Sequence, residues 1–339
     1  MEFTGSSHTP PSSELRADEW CLNLSRRSLL TTALVGLSGT AYATSSYPRS
    51  TITVLVPFSA GSGNDIVARA LATKMPGLLG GSMIVDDRAG ASGEIAVEAT
   101  LRARPDGYTL LLGSVGISIN RYVLHRHYEA SDFTCVAKVA HLPFTLFVNK
   151  SVPASNLKEL AAVMKAHPDK FSAGEGGAVG SNHFILEAFK KAAGVSFTSV
   201  PYKGTADALV DLLAGRIQMM VAPISTGLPY YKTGQVKELG ISGNARVPLM
   251  PDVPTFTEQG YPAMDISTWF ALLGPKGIPT DVVHKLSQAA EKALKTKSVT
   301  TTLTRLGIVP DYAPPAQMAA FLKSNMMDWK KLLTSAGIK

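Results

Sequence analysis

Residues 51–65 read TITVLVPFSAGSGND, in which an apolar, β-rich run leads directly into a glycine-rich loop. The run predicts a buried strand over 51–57, and the apolar spacing beyond the loop predicts a helix over 65–75. Glycines at such a junction let backbone amides approach a ligand closely, and the N-terminus of the following helix favours negative charge. The stretch therefore predicts an α/β unit with an anion site where its first strand ends.

The same arrangement follows immediately in the chain. Strands are predicted over 82–86 and 108–113, a helix over 93–102, and the second junction, residues 87–94, reads DRAGASGE. Strands that alternate with helices at this spacing indicate βαβ units in a parallel sheet, whose strand-end loops lie on one side. We therefore expect one anion site shared by both loops. The candidate ligand-binding residues of this half are Phe58, Ala60, Gly61, Ser62, Gly63, Asn64, Asp65, Ala91, Ser92, Gly93, Glu94 and Ser114.

A second α/β half is predicted further along the chain. Its strands are predicted over 144–148 and 217–221, and its helices over 157–167, 181–193 and 206–214. The composition and spacing are those of the first half, so the chain is expected to fold into two similar lobes.

The last part of the chain is expected to return to the first half. Residues 248–262 are rich in proline and glycine and predict a surface connection. After this connection come a strand-like run over 266–273 and helices over 281–293 and 317–335. These late helices must pack somewhere, and a return crossing lets them complete the first lobe.

The predicted fold class is therefore α/β, with two domains joined by two antiparallel crossing strands and a ligand cleft between them. The chain is expected to cross near 144–148 and to return near 269–273. Domain 1 is then expected to comprise residues 44–145 and 270–339, and domain 2 residues 146–269.

The N-terminal segment has the features of an export signal. An arginine pair, Arg26 and Arg27, precedes a short apolar core, and the sequence Ala41-Tyr42-Ala43 places small residues at a cleavage position. We expect residues 1–43 to be removed on export to the periplasm. The arginine pair indicates the twin-arginine route, with the general secretory route as the alternative.

Composition limits the function classes. The 339 residues are 45% hydrophobic and 17% charged and include two cysteines, which excludes a disordered protein and a disulfide scaffold. The net charge of +7 comes from scattered lysines and arginines, which argues against nucleic-acid binding and favours anionic solutes. Cys21 leaves with the signal, and Cys135 is interpreted as a core thiol rather than a nucleophile.

Catalytic and cofactor motifs do not occur in the sequence. There is no G-x-S-x-G or H-E-x-x-H, and Ile66 occupies the last glycine position of a G-x-G-x-x-G match. His125 and His127 have no partner at metal-ligand spacing. We therefore predict a protein without a metal, without a cofactor and without enzymatic activity.

Several motifs resemble those of the Bug-type extracytoplasmic solute receptors, the binding proteins of the tripartite tricarboxylate transporter family. They are spread over essentially the whole mature chain: VPF at 56–58 with its glycine loop and Asp65, DRAGASG at 87–93, PDGYTL at 105–110, VPYKG at 200–204, LMPDVPTFTE at 249–258 and AGIK at 336–339.

The resemblance implies a type II periplasmic-binding-protein fold that closes on a small carboxylate, aliphatic or aromatic, held by the two glycine loops and ordered water. It also implies a periplasmic monomer that either delivers its ligand to the membrane subunits of a tripartite tricarboxylate transporter or signals its presence. Departures from the family pattern fall around the cleft: Ser62 interrupts the usual Pro-Gly-Gly, Ala89 replaces a proline, and 221–223 lack an acidic residue. The identity of the carboxylate is left open by these departures.

The second lobe is expected to complete the site with a helix start and a turn, comprising Ser181, Asn182, His183, Tyr202 and Thr205. The dipoles there can bind an anion or a carbonyl group. His183 has two readings, a ligand contact or a helix-start residue bonded to backbone. The rings of Phe58 and Tyr202 are either an aromatic wall or lobe core, and a surface or structural role is favoured for Lys203.

Two function classes remain. The first is a periplasmic receptor for a small carboxylate, and the second is an exported enzyme on the same scaffold, because a fold does not determine function. The glycine loops contain no nucleophile–base pair, which favours the receptor.

Overall fold

The chain forms two β-sheets, and the computed structural model describes residues 47–176, 181–202, 204–243 and 245–335. The strands, in chain order, are β1 Ile52–Val56, β2 Met83–Asp87, β3 Thr109–Ser114, β4 Phe133–Leu142, β5 Phe144–Asn149, β6 Ser172–Gly176, β7 Thr198–Tyr202, β8 Met219–Pro223, β9 Val236–Ile241, β10 Thr268–Pro275 and β11 Val309–Ala313. The helices are α1 Gly63–Ala72, α2 Met75–Leu79, α3 Glu94–Leu101, α4 Gly116–Val123, α5 Leu157–Ala166, α6 Ser181–Ala193, α7 Thr205–Leu213, α8 Ile224–Lys232, α9 Thr280–Leu294, α10 Lys297–Arg305 and α11 Pro315–Ser335.

The first sheet has the strand order β11-β4-β10-β3-β1-β2. Strand β1 pairs in parallel with β2 and β3, as the βαβ pattern predicts. Strand β10 is antiparallel to β3 and β4, and β11 is antiparallel to β4. The parallel pairing predicted for the βαβ units is confirmed for β1, β2 and β3, and β10 runs antiparallel to β4, as expected for a return crossing. Because β10 returns from the second sheet beside the strand that leaves for it, the two must run in opposite directions.

The second sheet has the order β7-β6-β8-β5-β9. Strand β6 is parallel to β7 and β8, whereas β5 is antiparallel to β8 and β9. Phe144, the first residue of β5, pairs with Pro223, the last residue of β8. Strand β8 therefore ends at the edge where the chain arrives from the first sheet, and its parallel neighbours β6 and β7 end there too.

In the first sheet, too, the carboxyl ends of strands lie at the edge where the chain crosses between the sheets. Leu142 at the end of β4 pairs with Thr268 at the start of β10, and Phe270 of β10 pairs with Ser114 at the end of β3. Pro143 alone separates β4 from β5 in the sequence. The carboxyl ends of the parallel strands in both sheets therefore face the space between the two lobes, hereafter the cleft. The predicted fold class, two α/β lobes joined by two crossing strands, is confirmed.

Apolar side chains cover both faces of each sheet. In β10, Phe270 and Leu272 pack into one cluster, while Trp269, Ala271 and Leu273 pack into another on the opposite face. Strand β8 alternates in the same way between two clusters. Burial of one such side chain contributes about 1.5–3 kcal/mol. Burial on both faces explains why these strands are nearly continuous apolar runs.

The helix predicted over 65–75 begins and ends earlier in the structure. Helix α1 starts at Gly63 because the Ser62 hydroxyl caps it, accepting a hydrogen bond from the Asp65 amide at 3.3 Å. The chain then begins a separate short helix, α2, with Pro76 in its first turn. Elements that the sequence did not predict are β4, β6, β7, β9, β11, α4, α8 and α10.

The tract over 248–262, predicted as a surface connection, contributes to the core. Met250, Val253 and Phe256 are at most 3% exposed, and Thr255 forms a parallel bridge to Ile241 at the end of β9. The apolar residues Met250, Val253 and Phe256 recur every three positions, a spacing that indicates neither a strand nor a long helix. The sequence pattern therefore gave no sign that this tract is buried. These apolar side chains are buried by tertiary packing instead.

Cys135 of β4 is buried, and burial raises the pKa of its thiol to about 12. A thiol of this kind is unreactive, which confirms the prediction of a core cysteine. No helix in the described part of the chain is long and apolar enough to cross a bilayer. The predicted signal over 1–43 and the AGIK motif at 336–339 lie outside the described residues.

One carboxyl group is buried without a partner in the second lobe. Glu238 of β9 is 7% exposed, and neither of its carboxyl oxygens has a hydrogen-bond partner among the residues that the structure describes. Burial raises its pKa to about 8, from an ordinary value near 4.5. The folded protein therefore holds this proton over a pH range in which the unfolded chain has lost it.

The stability contribution of this proton should disappear as the pH rises from about 4.5 to about 8. Glu238→Gln mimics the protonated carboxyl group, so the variant should match the parent at pH 5 and exceed it at pH 9. The gain should be on the order of 4 kcal/mol, since a pKa raised from about 4.5 to about 8 corresponds to about 5 kcal/mol at ~1.4 kcal/mol per unit, and a small part of it is already lost at pH 5. Urea unfolding at both pH values measures it. Glu291→Gln, on the surface of α9, is the control, and equal pH dependence in the parent and Glu238→Gln would contradict the burial argument.

Candidate ligand-binding site

The first glycine loop is shaped by Asp65. Its carboxylate Oδ2 accepts a hydrogen bond from the Gly61 amide at 2.8 Å, and Oδ1 lies 2.5 Å from Nε of Arg69. Gly61 has a φ of 82°, in the left-handed region that favours glycine. Asp65 is 3% exposed. This predicted site residue therefore holds the loop in place, while Ala60 and Gly61 are exposed at its tip.

The neighbouring residues tie this loop to the sheet. The Asn64 amide donates a hydrogen bond to the carbonyl of Leu112 in β3 at 2.8 Å, and Asn64 is 4% exposed. A Cβ atom on Gly63 would lie 3.1 Å from the ring of Phe270 in β10, so the backbone approaches that ring closely. Ser62 caps α1, as described above. The side chains of Asn64 and Asp65 are thus engaged within the protein.

The second glycine loop has an unusual backbone. Four consecutive residues have positive φ: Gly90 at 132°, Ala91 at 47°, Ser92 at 57° and Gly93 at 97°. The two non-glycine residues in this region cost about 1–3 kcal/mol each, and such strain persists only where the surroundings enforce it. A Cβ atom on Gly93 would lie 2.9 Å from Cβ of Pro57, so glycine is required here for space as well as for conformation.

A buried hydrogen-bond network enforces that conformation. The Asn120 amide donates to the Ser92 carbonyl at 2.9 Å and to Oε1 of Glu94 at 2.9 Å. The Tyr128 hydroxyl donates to the same Glu94 oxygen at 3.0 Å, and Arg126 lies 3.4 Å from Oε2. Glu94 is 1% exposed. The predicted site residue Glu94 therefore supports the loop from beneath.

The two loops meet the end of β3 around a small cavity. Its volume is about 10 Å³, which is room for one water-sized group. The structure brings together Phe58, Ser92, Gly93 and Ser114 of the predicted residues in its wall, beside Gly116 and Asn120. Ala60, Gly61 and Ser62 belong to the adjoining loop and do not line this cavity.

Sequence reasoning missed Asn120 and Gly116. Both follow β3 in the segment SVGISIN, residues 114–120, which is a third strand-to-helix junction beside the other two. The position of this segment after a predicted strand was a usable signal. Its single glycine made the junction less conspicuous than the two glycine-rich loops.

In the second lobe, α6 begins at the carboxyl end of β6. Ser181 and Asn182 are 6% and 4% exposed, and Nδ2 of Asn182 has no hydrogen-bond partner among the described residues. Nδ1 of His183 lies 3.0 Å from Oε2 of Glu175 in β6. Of the two readings for His183, the structure shows a contact with a side chain rather than with backbone. Glu175 was not predicted, because nothing in the short strand sequence SAGEG marks it.

Tyr202 ends β7, and its side chain faces its own lobe. Its hydroxyl donates to Oδ2 of Asp211 at 2.7 Å, and its ring packs against an apolar cluster on one face of the second sheet. Burial, together with the Asp211 carboxylate, raises the Tyr202 pKa to about 12. These contacts match the lobe-core reading of this ring. Thr205 starts α7 next to it and is half-buried, and Lys203 lies outside the described residues.

A second cavity, of about 740 Å³, lies beside the crossing segments and is lined by none of the predicted site residues. The basic side chains in its wall are each paired with a carboxylate, and Arg246 lies 3.0 Å from Glu258. Asp311 lies 2.6 Å from Nζ of Lys138 and 3.0 Å from Nδ1 of His141, and Lys331 lies 3.3 Å from Asp328. Hydrogen bonds from His141 and Lys138 hold the pKa of Asp311 well below its usual range, although burial opposes its ionisation. The larger cavity therefore offers an anion no unpaired basic side chain among the described residues, and its volume alone does not make it a better candidate than the small cavity between the glycine loops.

Two α/β lobes whose strand-to-helix loops face a common cleft define the class of two-lobed solute-binding proteins. The chain belongs to a family within that class, since the model of the tripartite tricarboxylate transporter family receptors matches residues 67–338. The resemblance seen in the sequence motifs is thereby confirmed.

Individual relatives agree with this assignment. The chain is 32% identical to protein BugT of Bordetella pertussis over 86% of its length and 91% of that protein. It superposes on the periplasmic binding protein BugD with a TM-score of 0.66 at 32% identity, covering 86% of this chain and 99% of BugD. For MatC of Rhodopseudomonas palustris with bound malate, the TM-score is 0.65 at 31% identity, covering 85% and 100%. The family and these structures are periplasmic solute-binding receptors rather than enzymes.

Asn120→Ala should destabilise the protein, because it removes the donor to the Ser92 carbonyl and one of the two donors to the buried Oε1 of Glu94. The expected loss is about 1–3 kcal/mol of unfolding free energy, the usual cost of an unsatisfied buried polar group. Urea denaturation monitored by circular dichroism measures it. Gln235→Ala, which removes an exposed side-chain hydrogen bond, should change stability by less than about 0.5 kcal/mol. An Asn120→Ala variant as stable as the parent would show that the network does not support the loop.

Proposed function

We propose that this protein is a periplasmic receptor that captures a small carboxylate in the cleft between its lobes, as part of a tripartite tricarboxylate transporter or in a sensing role. The observation that carries the proposal is the second glycine loop. Its successive left-handed residues, held by a buried network, form an exposed backbone turn beside the small cavity. Backbone amides fixed in such a loop can bind an oxyanion without reorganising.

The bound acid is proposed to be an aliphatic di- or tricarboxylate or an aromatic acid. MatC, which shares 31% of its sequence with this chain, holds malate. Phe58 lies in the wall of the cavity and offers an apolar surface to the carbon skeleton of either kind of acid. Family membership and cavity chemistry together support a carboxylate.

The working unit is proposed to be a monomer with two domains, residues 44–145 plus 270–339 and residues 146–269. We further propose that residues 1–43 direct export, by the twin-arginine route, and are then removed. The partners would be the small carboxylate and the membrane subunits of a tripartite transporter. No nucleic acid, metal or cofactor has a part in this proposal. The alternative, an exported enzyme on the same scaffold, is not favoured by any specific contact described above.

A thermal-shift screen over succinate, malate, adipate, citrate and benzoate tests the proposal, because a ligand that binds only the folded state raises its melting temperature by mass action. The account predicts that at least one acid raises it at millimolar concentration. If no acid does, the receptor reading fails.

For the acid that binds, Gly93→Val should abolish binding measured by calorimetry. The added side chain would collide with Pro57 and would demand a backbone angle that valine does not adopt. Gly77→Ala, in open space on α2, is the matched control and should bind normally. Lys203→Ala should weaken binding by about 1 kcal/mol or less, because the turn motif in which the sequence places this lysine favours a surface or structural role. Loss of binding in Lys203→Ala together with retention in a folded Gly93→Val would indicate a conventional salt bridge instead.

A further inference from the structure

The first turn of α6 contains a histidine held by a buried carboxylate. Oε2 of Glu175 lies 3.0 Å from Nδ1 of His183, and the two side chains are 9% and 25% exposed. The second oxygen of Glu175, Oε1, has no hydrogen-bond partner in the described part of the chain. Since Nδ1 is engaged by Glu175, Nε2 is the ring nitrogen that remains for a ligand.

Opposing effects act on the charge of this ring. A helix N-terminus disfavours a cation by about 0.3–1 kcal/mol, whereas a hydrogen bond to a charged group contributes about 1.5–3 kcal/mol. The larger effect prevails: the hydrogen bond with Glu175 raises the pKa of His183 above its ordinary value, although burial opposes this. For Glu175 itself, burial opposes ionisation, but the hydrogen bond with His183 and the nearby Ser199 side chain lower its pKa. The pair therefore favours an imidazolium beside a carboxylate.

The charged groups around His183 are few. Glu175 approaches it from β6, and Glu187 and Lys190 act on it from α6 itself, with opposite effects. Glu187 and Lys190 lie 2.6 Å from each other and largely cancel. Phe184 packs edge-on against the imidazole, with ring centroids 5.3 Å apart. Glu175 is thus the group that determines the protonation of His183.

This turn lies at the boundary between the lobes. The ring of Phe184 contacts Trp329 of α11, in the first lobe, with centroids 5.0 Å apart at 84°. Phe184 also belongs to the same apolar cluster as Leu111 and Ile117, which line the small cavity between the glycine loops. Asn182, in the same turn, is 96% buried and has the unpartnered amide described above. The first turn of α6 therefore lies where the two lobes are in contact, and it carries an unused donor.

The cations near the glycine loops are already paired within the first lobe. Arg88 lies 2.9 Å from Asp86, and Arg69 contacts both Asp65 and Asp87. These loops therefore offer backbone amides to an anion rather than a free positive charge. A protonated His183 would supply that charge from the opposite lobe.

We propose that His183, held by Glu175, is a protonation-dependent counter-ion for an acidic group of the bound solute, so that capture strengthens as the pH falls. This inference rests on the proposed function and adds regulation to the same site. The ligand class is an organic acid with a second ionised group, which the imidazolium contacts through Nε2 while the glycine loops bind the first carboxylate. A ligand lacking the second group would show little pH dependence.

Calorimetry of the mature chain with malate at pH 6.0 and pH 9.0 tests the inference. The carboxylates of malate remain ionised over this range, so a change in affinity reflects the protonation of groups on the protein rather than of the ligand. The dissociation constant should rise about tenfold or more with pH as the imidazolium loses its proton, a change equivalent to ~1.4 kcal/mol. At intermediate pH, titrations in phosphate and in Tris should reveal proton uptake on binding.

Three variants separate the roles. His183→Gln should bind weakly at both pH values and take up no proton. Glu175→Gln should shift the loss of affinity to lower pH, because the ring loses its carboxylate partner. Glu187→Gln removes a carboxylate from α6 that makes no hydrogen bond to the ring, and should move the pH profile much less than Glu175→Gln does.

The outcomes distinguish the inference from the proposed function. Malate binding that is independent of pH, or unchanged in His183→Gln, overturns the inference and leaves the receptor standing. If succinate, malate, adipate and citrate all fail to bind at either pH, the receptor proposal for these acids fails and the inference fails with it.

Discussion

The antiparallel pairing of β4 with β10 is the constraint on which the rest of the structure depends. The chain leaves the first sheet after Leu142 and re-enters it at Thr268, and these two residues are partners in the sheet. Because departure and return occur at one edge, the carboxyl ends of the parallel strands in both lobes must face each other. The loops that follow those strands therefore lie around the cleft.

The chemistry of the site follows from that placement. The loops can expose backbone amides because their own side chains are used internally: Asp65 holds the first loop, and Asn120 with Glu94 holds the second. Strain at Ala91 and Ser92 costs a few kcal/mol and is offset by the buried network below them. The two loops are therefore ordered by contacts within the protein, an arrangement that reduces the ordering cost of the binding proposed for them.

The sequence predicted those features that are encoded locally. The run at 51–57, the glycine loops and the helix at 181–193 have short-range signals, and the structure places each element within a few residues of its predicted position. Family motifs extended the interpretation to a two-lobed receptor fold. The return of β10 was expected as an antiparallel crossing segment, but its pairing with β3 and β4 was not predicted, since pairing partners distant in sequence leave no local pattern.

The supporting residues of the site could not be predicted in the same way. Glu175 lies in a glycine-containing strand of five residues, and its meaning depends on His183. Tyr202 looked like a candidate for a cleft wall, yet its hydroxyl is bound by Asp211 within its own lobe. Side chains such as these acquire their roles from tertiary contacts. Sequence reasoning therefore predicted the strands and helices around the cleft more reliably than the contacts of individual side chains.

The central proposal is that a small carboxylate is captured in the cleft between the lobes, and capture there is expected to close the lobes about the two crossing segments. Paired spin labels on Ile84→Cys in the first lobe and Val210→Cys in the second, both highly exposed positions, measure the distance between lobes directly, because the native Cys135 is buried. A second pair, Ile84→Cys with Met327→Cys, lies within the first lobe and serves as the control. With a carboxylate shown by calorimetry to be bound, the account predicts a shorter distance between lobes and an unchanged distance within the first lobe. An unchanged distance between lobes at saturation would contradict it.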